Sequence, residues 1–511
     1  MWTRPSRALR LAVALALSLA LNLLPALQST AQERVIRLKD LERIADADTM
    51  VMVPMRDGVR LATDIYRPKG ADGKLPLVFI KTPYDFNELG GATLKWTFEA
   101  VSRGYAVAIQ NERGRYYSEG EWELLGNPRT DGYDALDWFA DQDWSNGAIG
   151  TLGCSSSAEW QMALAALDHP AHKAMVPMAA GAGIGRVGEF QEQGNWYKGG
   201  VHQTLFSVWL YSVQQQVYPR FPAGTSEEDL RRLRKLYDLK ADMPAVDWKK
   251  QLAKLPAIDW LEDAGGNEGP MQALMRRTPA DPAWFEGGLF HDDEAIGVPA
   301  YWFNSWFDVS QGPNLALYRH AREQGRTQHD RDGQYLVIAP TLHCDFYRIP
   351  EHEDYTAGDL KVGNAWFPLY DQLFAFLDRY LKGEESERFA ALPRVSYYTM
   401  GSNQWNTAQQ WPPAGTETLT LYLDSETAAN SLFGDGHLQR EPADGTAADR
   451  FTYDPMNPVP ALGGGVCCND GAAPGGSFDQ RGIEARADVL VYSTAPLEAD
   501  LTVTGSVHPV L

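Results

Sequence analysis

The sequence predicts an α/β protein with an inserted helical region and a following all-β region. Three observations lead to this prediction. Strand-like and helix-like segments alternate over residues 45–185 and again over 298–385. Segments rich in Trp, Tyr and Gln, with a helical period, lie between them over 186–297. Short β-rich runs separated by Gly, Pro and Asp follow over 393–511.

The N-terminus, residues 1–31, has a different character from the rest of the chain. Three arginines precede the apolar run "LAVALALSLALNLLPAL", and small residues follow as far as Ala31. A basic segment, an apolar segment and a small-residue cleavage site together predict a signal peptide that is cleaved after Ala31. A membrane anchor is the alternative, but the run is short and polar residues and a proline interrupt it. We therefore expect an exported protein, periplasmic or secreted, that is free of the membrane after cleavage.

Hydrophobic periodicity predicts each element of the first part of the sheet domain (45–185). "VMVPMRDGVRLATDIYRP" has the pattern of two strands joined by a hairpin turn at Asp57-Gly58. Strand and helix patterns then alternate in the order "LPLVFIKTPY", "LKWTFEAVSRG", "YAVAIQN", "GYDALDWFADQDW", "AIGTLGC", "AEWQMALAALDHP" and "KAMVPMAAG". The strand runs are almost continuously apolar, as expected where both faces of a parallel sheet are covered.

The remaining elements follow from the same patterns. "HQTLFSVWLYSVQQQV" and "SEEDLRRLRKLYDL" predict a helical cap over 186–297, and insertions of this kind commonly shape a substrate pocket. "VPAYWFNSWFD", "GQYLVIAP" and "DQLFAFLDRYLKG" return to the sheet domain over 298–385. "RVSYYTMG", "ETLTLYLDS", "DVLVYSTAPL" and "DLTVTGSV" predict a β-sandwich or jelly roll over 393–511.

Charge and cysteine spacing exclude several classes of partner. A net charge of −21 argues against a nucleic-acid or anionic-membrane partner. The four cysteines are Cys154, Cys344, Cys467 and Cys468. None of their spacings is typical of a zinc site, and an adjacent Cys-Cys pair is not a CxxC motif. We therefore expect no metal and no cofactor.

Three consecutive serines in "GTLGCSSSAEWQ" (150–161) lie where a predicted strand gives way to a predicted helix. A serine nucleophile on such a sharp turn needs a small residue two positions before it. Only Ser155 has a glycine there, Gly153, and it also has Ala158 three positions later. A structural serine turn is the alternative, because the motif departs from G-x-S-x-G at Ser157.

Two later residues complete a possible hydrolytic triad in the order Ser, Asp, His. Asp308 ends the strand pattern "YWFNSWFD", and His343 follows the strand pattern "YLVIAP". Both lie after the carboxyl ends of predicted strands, where open α/β sheets build their sites. Asp308 capping the next helix, and His343 as an ordinary loop residue, are the alternatives.

Together these segments resemble the cocaine esterase / Xaa-Pro dipeptidyl-peptidase / α-amino acid ester hydrolase family. The resemblance rests on "MRDGVRLATDIYRP", "KTPYD", "RGYAVAIQNERGRYYSEGEWE", "DGYDALDWFADQDWSNGAIGTLGCSSS", "SWFDVSQGPNLALYRH", "APTLHCDF" and "GSNQWNTAQQWPP". It implies an α/β-hydrolase domain, a helical cap and a C-terminal jelly roll. It also implies Ser155 as nucleophile, Asp308 as acid and His343 as base. Tyr84 and the backbone N–H of Ser156 are implied as the oxyanion hole.

Two departures from the family pattern bear on the substrate. Ser156 stands where members usually have an aromatic residue, often Tyr. The residues after Asp308 are Val309, Ser310 and Gln311, where the α-amino acid ester hydrolases have carboxylates that hold a substrate ammonium. The sequence therefore argues against specificity for a free α-amine. Glu159 and Glu192 are alternative amine ligands, and the other interpretation is that both are simply solvated.

We interpret the chain as an exported serine hydrolase that cleaves a small-molecule ester or amide through an acyl-enzyme. An Xaa-Pro dipeptidyl-peptidase is the alternative within enzymes, and a non-catalytic carbohydrate- or surface-binding protein is the alternative outside them. The sequence does not predict the oligomeric state.

Two further expectations concern covalent links and the C-terminal domain. Cys154 and Cys344 adjoin Ser155 and His343, so a disulfide between them is one hypothesis and two free thiols are the other. Family members continue beyond "DVLVYSTAPLEADLTVTGSV" with further strands, so we expect an incomplete jelly roll with exposed edges. A smaller closed domain is the alternative.

Overall fold

The structure is a computed structural model that describes residues 36–510 with short gaps. The gaps are 86–88, 182–183, 192–196, 199–200, 215–221, 223, 237–243, 267–268, 279–280, 286–287, 443–447 and 469–470. The predicted signal peptide (1–31) and Glu192 lie outside the described residues. Among the described residues, no helix combines the length and apolar character needed to cross a bilayer.

The strands of the described chain alternate with helices through most of its length, as predicted. In chain order they are β1 Ala45–Pro54, β2 Arg60–Pro68, β3 Leu75–Thr82, β4 Ala106–Asn111, β5 Ser145–Cys154, β6 His172–Met178, β7 Ile184–Val187, β8 Phe190–Gln191, β9 Tyr197–Lys198, β10 Val201–His202, β11 Phe290–His291, β12 Ala300–Phe307, β13 Gln334–Leu342, β14 Tyr355–Ala357, β15 Leu360–Gly363, β16 Val395–Thr399, β17 Gln404–Ala408, β18 Tyr422–Asp424 and β19 His437–Gln439.

The helices cover both faces of the sheet and build most of the cap. The α-helices are Leu38–Ile44, Gly91–Ser102, Tyr133–Ala140, Ser156–Glu159, Gln161–Ala165, Thr204–Gln214, Glu227–Leu236, Trp248–Gln251, Trp260–Asp263, Pro270–Arg276, Gln311–Gln324, Gln328–Asp332, Leu369–Leu377, Glu387–Ala390 and Arg481–Glu484. Short 3₁₀ or π turns occur at Pro128–Gly132, Ala257–Asp259, Pro282–Phe285, Asp345–Arg348 and Asp378–Lys382.

One 10-stranded sheet forms the centre of the molecule, in the order β1-β2-β4-β3-β5-β6-β12-β13-β16-β17. The pairs from β4–β3 across to β13–β16 are parallel, and β1, β2 and β17 run antiparallel to their neighbours. Parallel strands have their carboxyl ends at one edge, so residues after β3, β5, β12 and β13 meet there. This is the predicted α/β-hydrolase architecture.

The sheet is buried on both faces, which explains its continuously apolar strands. All six residues of β4 are buried, and β13 is buried along all but its last residue. One apolar cluster packs helices Gly91–Ser102 and Leu369–Leu377 on one face of the sheet. Two other clusters pack helices Tyr133–Ala140 and Gln311–Gln324 on the opposite face.

The cap between the two halves of the sheet domain is mainly helical, with a small sheet of three short strands (β11-β7-β8). Its own apolar cluster includes Leu210 and Tyr211 from helix Thr204–Gln214, together with Trp284. Tyr84 and Trp122 of the sheet domain pack against the same cluster, so the cap closes over the edge at which the parallel strands end.

The C-terminal part differs from the sequence prediction in two ways. First, β16 and β17 belong to the central sheet: β16 pairs with β13, and Val395 and Tyr398 are buried there. The sheet domain therefore extends past the predicted boundaries at residues 385 and 393.

Second, the predicted strands at 488–497 and 500–507 do not form; this region has only isolated bridges, at Leu490 and Ser493. Beyond the central sheet, the described C-terminal residues contain one strand pair, β18–β19. The physical reason is that side chains such as Val503 and Val507 are exposed, with no facing sheet among the described residues to bury them.

Candidate active site

Ser155 lies on the sharp turn between β5 and the helix Ser156–Glu159. Its backbone has φ 59° and ψ −137°, a conformation that non-glycine residues rarely adopt. The turn is held by hydrogen bonds from the Ser155 N–H to the Met178 carbonyl and from the Ala158 N–H to the Ser155 carbonyl. This strained turn is the geometry by which α/β-hydrolases expose a serine hydroxyl above the sheet.

Gly153 is required by this turn, for the reason given by the sequence. A Cβ at this position would lie 2.0 Å from the Ser157 carbonyl oxygen, so no other residue fits without moving the backbone. The neighbouring Ser157 is engaged in structure, because its hydroxyl hydrogen-bonds Thr82 at 2.9 Å and its carbonyl accepts from Trp160. Of these two serines, Ser155 has the geometry of a candidate nucleophile.

Asp308 and His343 are paired at the carboxyl ends of β12 and β13. The His343 Nδ1 lies 3.0 Å from one Asp308 carboxylate oxygen and 3.1 Å from the other. The Asp308 side chain is fully buried and also accepts 2.8 Å hydrogen bonds from the backbone N–H and the hydroxyl of Ser310. With Nδ1 committed to Asp308, the His343 Nε2 is buried and has no hydrogen-bond partner among the described residues.

The electrostatics of this pair stabilise its charged form. Burial alone would raise the pKa of Asp308, but the charge of His343 and the hydrogen bonds from His343 and Ser310 bring that pKa below its usual value. Burial would lower the pKa of His343, yet the charge and hydrogen bond of Asp308, with smaller contributions from Cys468 and Glu159, raise it to about 9. The site therefore favours an imidazolium, the state that forms when histidine takes a proton from serine.

Tyr84 follows β3 at the same edge of the sheet. Its hydroxyl oxygen accepts a 3.0 Å hydrogen bond from the indole N–H of Trp209, on the cap helix Thr204–Gln214. Burial, and less strongly the charge of Cys468, raise the pKa of Tyr84 well above its usual value, so the phenol stays protonated. Its proton is free to be donated because the indole supplies the other hydrogen bond. Sequence reasoning missed Trp209, since no local pattern links it to Tyr84.

Comparison with known proteins agrees with this geometry. The family model for the X-Pro dipeptidyl-peptidase (S15 family) matches residues 57–345, more than half of the chain. The chain belongs to this S15 family. It is a serine hydrolase of the type that acts on esters or peptides, and the predicted family and enzyme class are confirmed. The model for the C-terminal non-catalytic domain of X-Pro dipeptidyl-peptidase matches residues 387–511, which include the whole of the predicted β-rich region (393–511).

Individual relatives span most of the S15-family chain. It is 31% identical to the cocaine esterase of Rhodococcus sp. (strain MB1 Bresler) over 89% of its own length and 76% of that protein. The structure of an α-amino acid ester hydrolase superposes with a TM-score of 0.66 at 24% identity, covering 93% of this chain and 76% of the other. An aminopeptidase from a marine sediment archaeon, Thaumarchaeota archaeon, gives 0.59 at 23% identity, covering 81% and 66%. At these identities the two structures support the fold alone.

A disulfide links Cys154 to Cys344, with their Cα atoms 6.1 Å apart. The two cysteines directly adjoin Ser155 and His343, so the bond joins the strand end that carries the serine to the loop that carries the histidine. The Cα separation lies below the limit of about 7 Å beyond which such a bond cannot form. Of the two hypotheses from the sequence, a disulfide or two free thiols, the structure has the disulfide.

A glycine-rich loop from the C-terminal region, described over residues 463–468 and 471–477, packs beside the Asp308–His343 pair. Gly464 and Gly476 exchange backbone hydrogen bonds across it, at 2.7 and 3.1 Å. Gly465 approaches so closely that a Cβ there would lie 2.5 Å from the Asp308 carbonyl oxygen. Cys467 and Cys468 follow Val466 in the same loop and lie next to His343. The sequence showed the glycines but gave no indication of where this loop lies.

Glu159 is the one suggested amine ligand among the described residues. It is buried, with 9% of its surface exposed, so the alternative that it is simply solvated is wrong. Its charge contributes to the raised pKa values of both His343 and Tyr84, which puts it near the site.

Proposed function

We propose that the protein hydrolyses small-molecule esters through an acyl-enzyme on Ser155. The observation that carries the proposal is the Asp308–His343 pair. The unpartnered Nε2 of His343 lies at the same sheet edge as the strained turn of Ser155. In the first step the Ser155 Oγ attacks the substrate carbonyl carbon while His343 Nε2 takes the hydroxyl proton. Asp308 holds the Nδ1–H tautomer and stabilises the imidazolium.

The negative charge that develops on the carbonyl oxygen needs two donors. The Tyr84 hydroxyl and the Ser156 N–H are the candidates, since Trp209 already satisfies the phenol oxygen and Ser156 begins a helix, whose first N–H groups lack an intrahelical acceptor. The intermediate then expels the alcohol, which receives the proton from His343. Water deacylates the enzyme by the same sequence of proton transfers.

Two features support an ester rather than an Xaa-Pro peptide as substrate. Val309, Ser310 and Gln311 bring no carboxylate to the position after Asp308 that would hold a terminal ammonium, and Ser310 is used to orient Asp308. The relative at 31% identity is an esterase by name. A buried Glu159 near His343 favours a second candidate, the hydrolysis of substrates with a free α-amine.

Export belongs to the same proposal. Two observations support a periplasmic or secreted enzyme. Residues 1–31 have the composition of a signal peptide, and the Cys154–Cys344 disulfide is a bond of the kind that persists in oxidising compartments. N-terminal sequencing of protein recovered from the cell exterior should begin after Ala31. A chain that retains residues 1–31 in the cytoplasm would contradict export without affecting the catalytic proposal.

The catalytic proposal is tested with purified protein and three substrate sets: p-nitrophenyl acyl esters, α-amino acid esters with free and blocked amines, and Xaa-Pro arylamides. We expect turnover of acyl esters, covalent labelling by a fluorophosphonate, and loss of labelling in Ser155→Ala but not in Ser157→Ala. Preference for a free over a blocked amine, lost in Glu159→Gln, would favour the second candidate. Absence of both turnover and labelling would contradict any serine-hydrolase role.

A further inference from the structure

His343, Cys467 and Cys468 form a cluster that the proposed hydrolysis does not need. One ligand atom from each, an imidazole nitrogen and two thiol sulfurs, lies within 4.8 Å of the other two. The histidine comes from the loop after β13 and the cysteines from the glycine-rich loop. The spacings between cysteines predict no metal site, because this cluster joins the two cysteines to a histidine far away in the chain.

The donor set is typical of zinc. Thiolate sulfur and imidazole nitrogen are the ligands that select Zn²⁺ over the hard cations Mg²⁺ and Ca²⁺. A zinc-binding histidine also commonly donates its other ring N–H to a carboxylate, which fixes its tautomer and orientation. His343 has this arrangement, since Nδ1 is bonded to Asp308 and the unpartnered Nε2 is left to coordinate. One buried carboxylate thus orients the nitrogen that zinc would require.

The loop that carries the two cysteines is held in place on both sides. Gly464 and Gly476 pair through their backbones, and the backbone of Ser477 exchanges hydrogen bonds with Ala357 at the end of β14 and with Asp359, at 3.1 and 2.8 Å. Gly465 packs directly on the Asp308 backbone. Cys467 is half-buried and Cys468 is exposed, so an ion can reach them from solvent.

We infer that His343, Cys467 and Cys468 bind one Zn²⁺ ion, and that bound zinc inhibits the hydrolase. The inhibition rests on the proposed function, whereas the binding does not. Coordination uses the Nε2 lone pair that would otherwise accept the Ser155 proton. Each thiol that coordinates as a thiolate releases one proton to solvent, an imidazolium at His343 likewise gives up its Nε2 proton, and no oxidation or reduction occurs. Three protein ligands leave a fourth position for water.

Binding is measured first, in a background in which catalysis plays no part. Ser155→Ala protein, with two free thiols verified by titration, is loaded with Co²⁺ and then titrated with Zn²⁺ against a chromophoric chelator. We expect one equivalent of metal and a thiolate-to-cobalt charge-transfer band. Cys467→Ser/Cys468→Ser should remove the band and weaken zinc affinity by more than about 100-fold, because losing a ligand costs more than losing an outer-shell partner.

A histidine elsewhere on the surface supplies the matched control. His437→Asn removes an exposed imidazole that lies 3.3 Å from Asp424 and should leave the stoichiometry and the band unchanged. His343→Gln should weaken binding as strongly as the cysteine variants do. The inference would be overturned if Cys467→Ser/Cys468→Ser still bound one equivalent of metal. It would also be overturned if the protein with two verified free thiols bound none.

Activity is then compared within each protein, with Zn²⁺ and with excess chelator. In the chain with Ser155 intact, zinc loading should lower the esterase rate by at least about tenfold, and chelator should restore it. In Cys467→Ser/Cys468→Ser, the rates with Zn²⁺ and with chelator should be the same. Zinc that binds at this cluster without slowing turnover would contradict the inhibitory part. A chain that binds zinc but has no esterase activity would contradict the proposed function and leave the site intact.

Discussion

The central sheet and the C-terminal region after β17 differ in how completely their apolar side chains are buried. In the sheet domain, strands such as β4 and β13 are buried almost completely between two helical layers. In the C-terminal region, Phe433, Met456 and Val503 have exposed fractions of 83%, 78% and 72%. All the candidate catalytic residues are attached to the first region. The candidate catalytic residues thus lie at the edge of a buried sheet, to which the second region contributes one loop.

That loop is the exception within the C-terminal region. Gly476 is buried, and Gly465 contacts the backbone of Asp308, so the described parts of the loop (463–468 and 471–477) pack on the sheet domain although the residues around them are largely exposed. The contrast therefore predicts large effects for changes at the sheet edge and small ones for changes in the C-terminal region outside the loop.

The largest effect should come from the turn after β5. Ser155→Ala should lower kcat by about 10⁴-fold or more while leaving substrate binding nearly intact, because the nucleophile is lost and the pocket is not. Steady-state kinetics and a binding measurement with an unreactive ester analogue check this. Ser157→Ala is the control and should retain activity; if it abolishes turnover while Ser155→Ala does not, the assignment of the serine is wrong.

A smaller loss is expected at the neighbouring strand β3. Tyr84→Phe removes one proposed oxyanion donor and should lower kcat by about 10²- to 10³-fold with little change in KM. Trp209→Phe removes only the partner of the phenol oxygen, so its effect should be clearly smaller and should vanish in the Tyr84→Phe background. Equal losses from the two single variants would mean that both residues simply support the pocket wall.

Two leucines test the difference in packing directly. Leu152 in β5 is 1% exposed, and Leu501 in the C-terminal region is 53% exposed. Leu152→Ala should lower the free energy of unfolding by about 2–5 kcal/mol through lost burial and a cavity. Leu501→Ala should change it by no more than about 0.5 kcal/mol. Urea denaturation, monitored by tryptophan fluorescence, measures the change in the free energy of unfolding for each variant. A large change for Leu501→Ala would mean that the C-terminal region is packed as tightly as the sheet.

A smaller effect, dependent on pH, should come from His172 in β6. Burial, and secondarily the charge of His169, lower its pKa from 6.5 to about 3. The folded chain thus keeps His172 neutral where the unfolded chain would be protonated. The neutral imidazole therefore costs no stability above pH 6.5. As the pH falls from 6.5 toward 3, protonation of the unfolded chain lowers the free energy of unfolding, and this loss is about 2 kcal/mol at pH 5.

The measurement is the unfolding midpoint as a function of pH. In His172→Gln the fall between pH 6.5 and 5 should be shallower than in the unchanged chain, whereas replacement of the exposed His352 by Gln should leave the slope as it was. A slope unaltered by His172→Gln would mean that other groups govern the acid sensitivity of the sheet.

The parts of the fold that the sequence predicted are those set by local patterns. The Asp57-Gly58 hairpin, the apolar strands β3 to β6 and the cap helices Thr204–Gln214 and Glu227–Leu236 all follow from periodicity and turn chemistry. Gly153 identified Ser155 because the steric requirement acts within one turn of chain. Asp308 and His343 were predicted because a parallel sheet brings strand ends to one edge.

What escaped prediction depends on contacts between distant segments. Trp209 meets Tyr84 only because the cap folds back over β3, and Cys467 meets His343 only because a C-terminal loop crosses the sheet edge. The patterns from residue 488 onward predict strands, yet alternation alone does not supply the second sheet that a sandwich needs. The prediction that places "RVSYYTMG" in the C-terminal domain is wrong for the same reason, since its pattern fits any sheet with room at its edge.

The Cys154–Cys344 bond also changes the connectivity of the chain. It closes a covalent ring of sequence separation 190 that contains the entire cap, with Ser155 at one end of the ring and His343 at the other. A protease that cuts anywhere within the cap opens this ring without releasing either half, so Ser155 and His343 stay tethered through sulfur. A single cut in the cap therefore leaves the loops that carry Ser155 and His343 covalently joined in one molecule.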